Sequence, residues 1–306
     1  MAVIFAIIPV FLIILCGYLC RRYQFPDENF WRGAEKITYF LLFPALLVSK
    51  MATASLDGID FLKPAIVILV LLLSISVLLL LCKPIMQIRN AAFTSVYQGG
   101  IRFNTYIGLA VVFALHGSQG LVVAVVIASM MIPLINILSV LVLEYYGNSD
   151  SQQSNKSVIK SVISNPLILA CVIGMGINLS GVVLPNVLVE TLNIFSRAAL
   201  PLGLLTVGAA LTLQSIQSST KPLLIASFFK FLLLPMMALG LCVLLEVEPM
   251  VRNAIVILTS LPTATASYVL SRQLGGDHEL MATIITGQTL LAGIVMPLIL
   301  LLATPL

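Results

Sequence analysis

The chain has 306 residues, of which 60% are hydrophobic and 9% charged, with a formal net charge of +4. A soluble domain carries about 25% charged residues, so this composition excludes a soluble globular protein. No segment clusters Lys and Arg as a nucleic-acid-binding patch would, so no nucleic-acid partner is expected. The chain reads as an all-α polytopic membrane protein whose chemistry lies within the bilayer and whose surrounding partner is lipid.

A helix needs ~20 mostly apolar residues to cross ~30 Å of hydrocarbon. Residues 1–20, 64–82, 198–220 and 280–306 contain no Asp, Glu, Lys or Arg at all. The first span, 2–20, has no basic leader and no small-residue cleavage site, so it reads as a retained helix and not a cleaved signal. It ends at Arg21-Arg22, which with Arg32 and Lys36 makes a topology signal. Further spans follow at 33–50, 64–82, 90–115 and 119–143. The hydrophilic run "YYGNSDSQQSNKS", 145–157, is a flexible linker by its Ser, Asn and Gln content. Five more spans lie at 158–180, 189–212, 221–244, 251–273 and 279–303.

The two sides of the linker resemble each other. "FPALL" (43–47) answers "LPLGL" (200–204), and "KPAIVI" (63–68) answers "KPLLIA" (221–226). "IRNAA" (88–92) answers "VRNAI" (251–255), and "MIPLI" (131–135) answers "VMPLI" (295–299). The division is therefore 1–144 as a first five-helix repeat, 145–157 as linker and 158–306 as a second repeat. An odd number of spans per repeat inverts the second relative to the first, an arrangement typical of secondary transporters. Loop charge sets the orientation. Arg21, Arg22, Arg32, Lys83, Arg89, Lys156, Lys160, Lys221 and Arg272 fall on one side, and only Lys50, Lys63 and Arg252 on the other. Positive residues stay inside, so both termini face outward and the linker is expected to be cytoplasmic.

Two spans carry breakers at their midpoints. The fourth contains Gly99-Gly100 in "YQGGIRFNTYIGL" (97–109), and the ninth contains "SLPTATAS" (260–267). Paired glycines weaken a helix, and proline removes a backbone donor. Both spans are expected to be broken helices, which at this depth are tolerated only around protein or a water-filled cavity. Half-helix N-termini facing each other make an anion site. Gly100, Arg102, Asn104 and Thr105 at the first break, with Pro262, Thr263, Thr265 and Ser267 at the second, are the candidate substrate-binding residues. An ionisable residue at such depth costs at least ~2.5 kcal/mol on insertion scales, which marks Arg102 and also Lys230, deep in the eighth span, as functional candidates. Lys230 suits anion attraction or ion coupling, with carbonyl capping at a helix break as its structural alternative. Gln288 and Asn136 could reach the same cavity or serve helix packing.

Enzyme chemistry is poorly represented. Ser118 lies beside His116 in "HGSQG" without the spacing of a nucleophile elbow. His278 in "GGDHELM" has no second histidine at zinc spacing. Cys16, Cys20, Cys82, Cys171 and Cys242 lie in apolar runs and read as small core residues, without a disulfide framework or metal set. No cofactor is expected.

At "YFLLFPALLVSKMA" (39–52), "AALPLGLLTVGAAL" (198–211), "FFKFLLLPMM" (228–237) and "LPTATASYVLSRQLGGDHELMATIITGQTLL" (261–291), the chain resembles the auxin efflux carrier family, which includes the plant PIN-type carriers and many bacterial members. The resemblance covers essentially the whole chain. It implies ten spans, fourth and ninth spans that cross at the substrate region, a scaffold with a mobile transport domain, and an elevator-like motion. It also implies that Asn104 and Pro262 carry the substrate region. Where the plant carriers have an Asn-Pro-Asn run, this chain has "RFNTY" with Arg102 added, which favours small organic anions such as dicarboxylates over auxin. The expected function is a secondary active or facilitative elevator-type carrier for efflux, moving a small organic anion such as a carboxylate or auxin-like acid across the cell inner (plasma) membrane. The alternatives are a sodium-coupled uptake symporter of the bile-acid-carrier type and a non-transporting ligand sensor. The coupling ion, proton or sodium, and a homodimeric state are left open.

Overall fold

The structure, a computed structural model, describes residues 2–53, 62–147, 166–182, 184–212 and 220–303. All regular structure among these residues is helical. Helices α1 (Ala2–Arg22), α2 (Glu28–Ile37), α3 (Phe43–Ala52), α4 (Leu62–Met86), α5 (Asn90–Ile101) and α6 (Thr105–Tyr146) precede the linker. After it come α7 (Pro166–Ser180), α8 (Asn186–Ala209), α9 (Thr220–Phe228), α10 (Leu234–Leu244), α11 (Pro249–Thr259), α12 (Ala266–Gln273) and α13 (His278–Ala303). Linker residues 148–157, with Lys156, and the start of the expected sixth span, with Lys160, lie outside the described residues.

Six described runs are long and apolar enough to cross a membrane: Phe5–Arg22, Leu62–Met86, Asn90–Tyr146, Asn186–Ala209, Thr220–Leu244 and His278–Leu301. Their outward faces carry large apolar side chains such as Leu12, Leu69, Leu81 and Ile294, all exposed. Water would penalise such a surface and hydrocarbon does not. The molecule is a multi-pass membrane protein. Cys16 belongs to that outward face, contrary to its expected core role, whereas Cys171 and Cys242 are buried as expected.

The long run Asn90–Tyr146 is interrupted twice. Arg102, Phe103 and Asn104 are non-helical, and Gly117 takes φ 61° and ψ −154° inside α6, separating an arm at 105–116 from one at 118–146. That conformation is open to glycine and strained for other residues. The kink thus falls within "HGSQG", at Gly117.

The expected break at Gly99-Gly100 lies elsewhere. Both glycines are helical and close α5, and the chain unwinds only at Arg102. Their use is close approach. A Cβ on Gly99 would stand 2.8 Å from Ile284 Cγ2 and 2.9 Å from Ala226 Cβ, so the bare backbone lets α5 settle against α9 and α13. The same device joins α1 to α8. A Cβ on Gly208 would lie 1.8 Å from the Ile14 carbonyl oxygen, and one on Gly17 would lie 2.1 Å from that of Leu205. Small residues at such crossings are the main means of tight helix packing in lipid. Gly208→Val should force these backbones apart and destabilise the protein by about 1–3 kcal/mol, the usual range for overpacking. Thermal unfolding of the purified variant checks this, and an unchanged midpoint would show that α1 and α8 can separate freely.

Two π-helical turns, Thr38–Leu42 and Phe229–Leu233, each precede a proline, Pro44 and Pro235. Proline cannot donate to the helical ladder and clashes with the carbonyl four residues back. The ladder shifts by one residue: Phe43 N–H donates to Thr38 O, and Leu234 N–H to Phe229 O. Such bulges occur often at functional sites. Here they carry Tyr39 and Lys230.

Candidate functional site

The second break runs from Ser260 to Thr265, between α11 and α12. It meets the first break directly. Asn104 N–H donates to the Pro262 carbonyl at 2.8 Å, and Thr263 Oγ1 stands 3.1 Å from the Gly99 carbonyl, a second acceptor within its reach. Gln288 of α13, fully buried, completes the joint. Its Oε1 accepts from Thr263 N–H at 3.0 Å and from Thr263 Oγ1 at 2.6 Å, while its Nε2 donates to Gly99 O at 3.0 Å. Backbone groups freed by a helix break need such partners when no water is at hand. A fourth tie, Gln98 Nε2 to Ser271 Oγ at 2.8 Å, links α5 to α12.

Asn104 is committed more narrowly than its side chain suggests. Its Oδ1 accepts from Tyr106 N–H at 3.0 Å and Ile107 N–H at 3.2 Å, capping α6. Its amide NH₂ is then the group left to address a ligand, which makes Asn104 a donor at this site.

Beside the joint lies a cavity of about 530 Å³. Arg102, Asn104 and Thr105 enter it from the first break and Thr265 from the second, with Asn136 from the far arm of α6. Glu35 and Tyr39 come from α2 and the first π turn, and much of the remaining wall is apolar, including Ile132, Leu167 and Val269. Sequence reasoning overlooked Glu35, Tyr39 and Phe103; only the proline after each π turn was a usable local signal for any of this group.

Three features make the cavity electropositive. The N-termini of α6 and α12 both border it, through Thr105 and Ala266, and helix N-termini carry partial positive charge and unsatisfied N–H groups. Arg102 is the third. It is only 9% exposed, and its Nε and Nη1 have no hydrogen-bond partner. Among the described residues the ion pairs are Arg21–Glu28 and Arg89–Asp277, so Glu35 does not neutralise Arg102.

The other predicted site residues do not line the cavity. Gly100 packs toward Leu79 and Phe229, Pro262 and Thr263 serve the joint, and Ser267 is buried with its Oγ unpartnered. Lys230 is 0% exposed, with Nζ lacking a hydrogen-bond partner and standing 6.0 Å from the Phe103 ring centroid. It caps no carbonyl. Asp277, in the "GGDHELM" turn, caps α13 by accepting from Leu280 N–H at 3.0 Å and pairs with Arg89 at 3.5 Å.

A multi-pass helical protein with a largely apolar cavity that holds a buried arginine where two interrupted helices meet is built to pass a solute, and belongs to the class of membrane transporters. The comparison with known proteins agrees: the chain belongs to the family described as membrane transport protein, matched over residues 2–300, which is the auxin efflux carrier-like family that its motifs resemble. It is similar to an uncharacterized transporter of Methanocaldococcus jannaschii, 24% identical over 291 residues, covering 90% of this chain and 91% of the relative. It is also similar to an uncharacterized transporter of Methanothermobacter thermautotrophicus, 23% identical over 295 residues and 95% of each chain.

Proposed function

We propose that this protein is a secondary carrier for a small organic anion bearing a carboxylate, working in the plasma membrane in the direction of efflux. The observation that carries the reading is Arg102: a buried guanidinium with two unpartnered nitrogens, facing a cavity bordered by two helix N-termini. An unpaired buried charge is costly, and an anion in the cavity supplies the missing partner through charge-assisted hydrogen bonds.

The way the pieces are tied supports an elevator mode of transport. The bonds among Gly99, Asn104, Pro262, Thr263 and Gln288 bind α5, α11, α12 and α13 at the crossing. On the other side, α1 packs with α8, and α3 with both α7 and α8. The first group is the mobile body and the second the scaffold of an elevator, arranged as ten spans in two inverted repeats. The helix pairs α5 with the near arm of α6, and α11 with α12, are the crossing fourth and ninth spans.

The test is binding and transport. Purified protein should show a rise in thermal unfolding midpoint with small carboxylates and none with matched neutral amides, and proteoliposomes should accumulate the labelled anion. Imposed proton or sodium gradients in the same assay identify the coupling ion. Stabilisation by the amides to the same extent would refute an anion site. The topology has its own check. A cysteine placed at position 152 on a cysteine-free background should resist an impermeant reagent in intact cells, because the loop charges put the linker in the cytoplasm. Rapid labelling there would overturn the orientation.

A further inference from the structure

Arg102 is not the only uncompensated cation at the crossing. Lys230 sits in the second π turn, fully buried, and its Nζ has no hydrogen-bond partner. Its Nζ stands over the Phe103 ring, 6.0 Å from the centroid. A cation over an aromatic face gains something, but far less than water or a carboxylate would give an ammonium. Nature of the missing partner is suggested by Phe103 itself, which also belongs to the cavity wall. The backbone here is extended at Arg102, with φ −77° and ψ 151°, and extended backbone sends successive side chains to opposite sides. Phe103 thus stands between the cavity that Arg102 and Asn104 also line and the Lys230 ammonium.

We propose that Phe103 is a movable partition between the cavity and Lys230, and that Lys230 is the second charge of a two-point site for a dicarboxylate. This rests on the anion-carrier reading above. One carboxylate is held by Arg102, the Asn104 amide and the N-termini of α6 and α12. When the Phe103 ring turns aside, the other carboxylate reaches the Lys230 ammonium. Phe103 itself lies between the helices, not within one, so its ring can reorient without breaking a helix. A dianion neutralises both cations at once, whereas a monoanion leaves Lys230 unpaired.

Succinate and butyrate have the same four-carbon length and differ by one carboxylate, so their binding to purified protein, followed by calorimetry, isolates the second charge. Wild type should bind succinate about 10- to 100-fold more tightly, the scale of one charge-assisted contact. Lys230→Met should remove that preference and leave butyrate affinity within about twofold, while Lys230→Arg, which keeps the charge, should retain it. Phe103→Trp, a bulkier partition, should selectively weaken succinate, and it serves as the test if Lys230→Met does not fold. A succinate-to-butyrate ratio unchanged in Lys230→Met or Phe103→Trp, with wild type binding both ligands, overturns this inference and leaves the carrier reading standing. Binding of neither ligand by wild type overturns both.

Discussion

Asn104→Asp should leave the protein folded and abolish anion binding. Asp and Asn are equivalent helix caps, and Asp Oδ1 can accept from Tyr106 and Ile107 N–H as the native oxygen does. The substitution therefore spares α6 and changes only what the cavity meets. There it removes the NH₂ donor and installs a negative charge. Two like charges about 4 Å apart repel by roughly 4 kcal/mol at an effective dielectric constant of 20, and 1.4 kcal/mol is tenfold. Affinity should fall by about 100-fold or more, with the unfolding midpoint of the ligand-free protein nearly unchanged. Arg102→Gln, which removes charge without adding any, should cost less, about 5- to 150-fold. Calorimetric titration with a carboxylate checks both. Wild-type affinity in Asn104→Asp would place the anion away from the first break.

Gln288→Leu should be the most damaging change to the joint itself. The side chain is fully buried and accepts from Thr263 N–H, accepts from Thr263 Oγ1 and donates to Gly99 O. With leucine there, Thr263 Oγ1 retains Gly99 O as an acceptor, but the Thr263 N–H has none. An orphaned buried donor costs about 1–3 kcal/mol, and the lost bonds add to it, for about 2–4 kcal/mol in all. Transport should fail as well, because Gln288 ties the end of α5 to the second break beside the cavity. Unfolding measurements on the purified variant decide the first point and proteoliposome flux the second. Wild-type stability would mean that the crossing holds without its strut.

These expectations show where local information stops. The helical membrane class was legible because it depends on composition: long apolar runs cannot pair their backbone in hydrocarbon except as helices. The neighbourhood of the crossing was legible too. Arg102, Asn104 and Pro262 are each anomalous against an apolar background, and the structure joins the Asn104 and Pro262 segments by a direct hydrogen bond. Gly99-Gly100 misled for a local reason. Glycine weakens a helix, but it also permits close packing, and which use prevails depends on whether α9 and α13 lie against it.

By itself, then, the sequence determined that the chain crosses a membrane as helices, that two of those helices are interrupted near Arg102 and Pro262, and that buried cations accompany the interruption. Those properties follow from residue type and short-range spacing. Tertiary structure alone decided that the glycines pack, that the Asn104 oxygen caps α6, and that Gln288 bridges breaks more than 150 residues apart in the chain. It also decided that Glu35 and Tyr39 face the cavity and that Phe103 stands against Lys230. Each of these is a contact between distant segments, and a side chain's partners are set by which helices meet, a choice made by packing over the whole bundle.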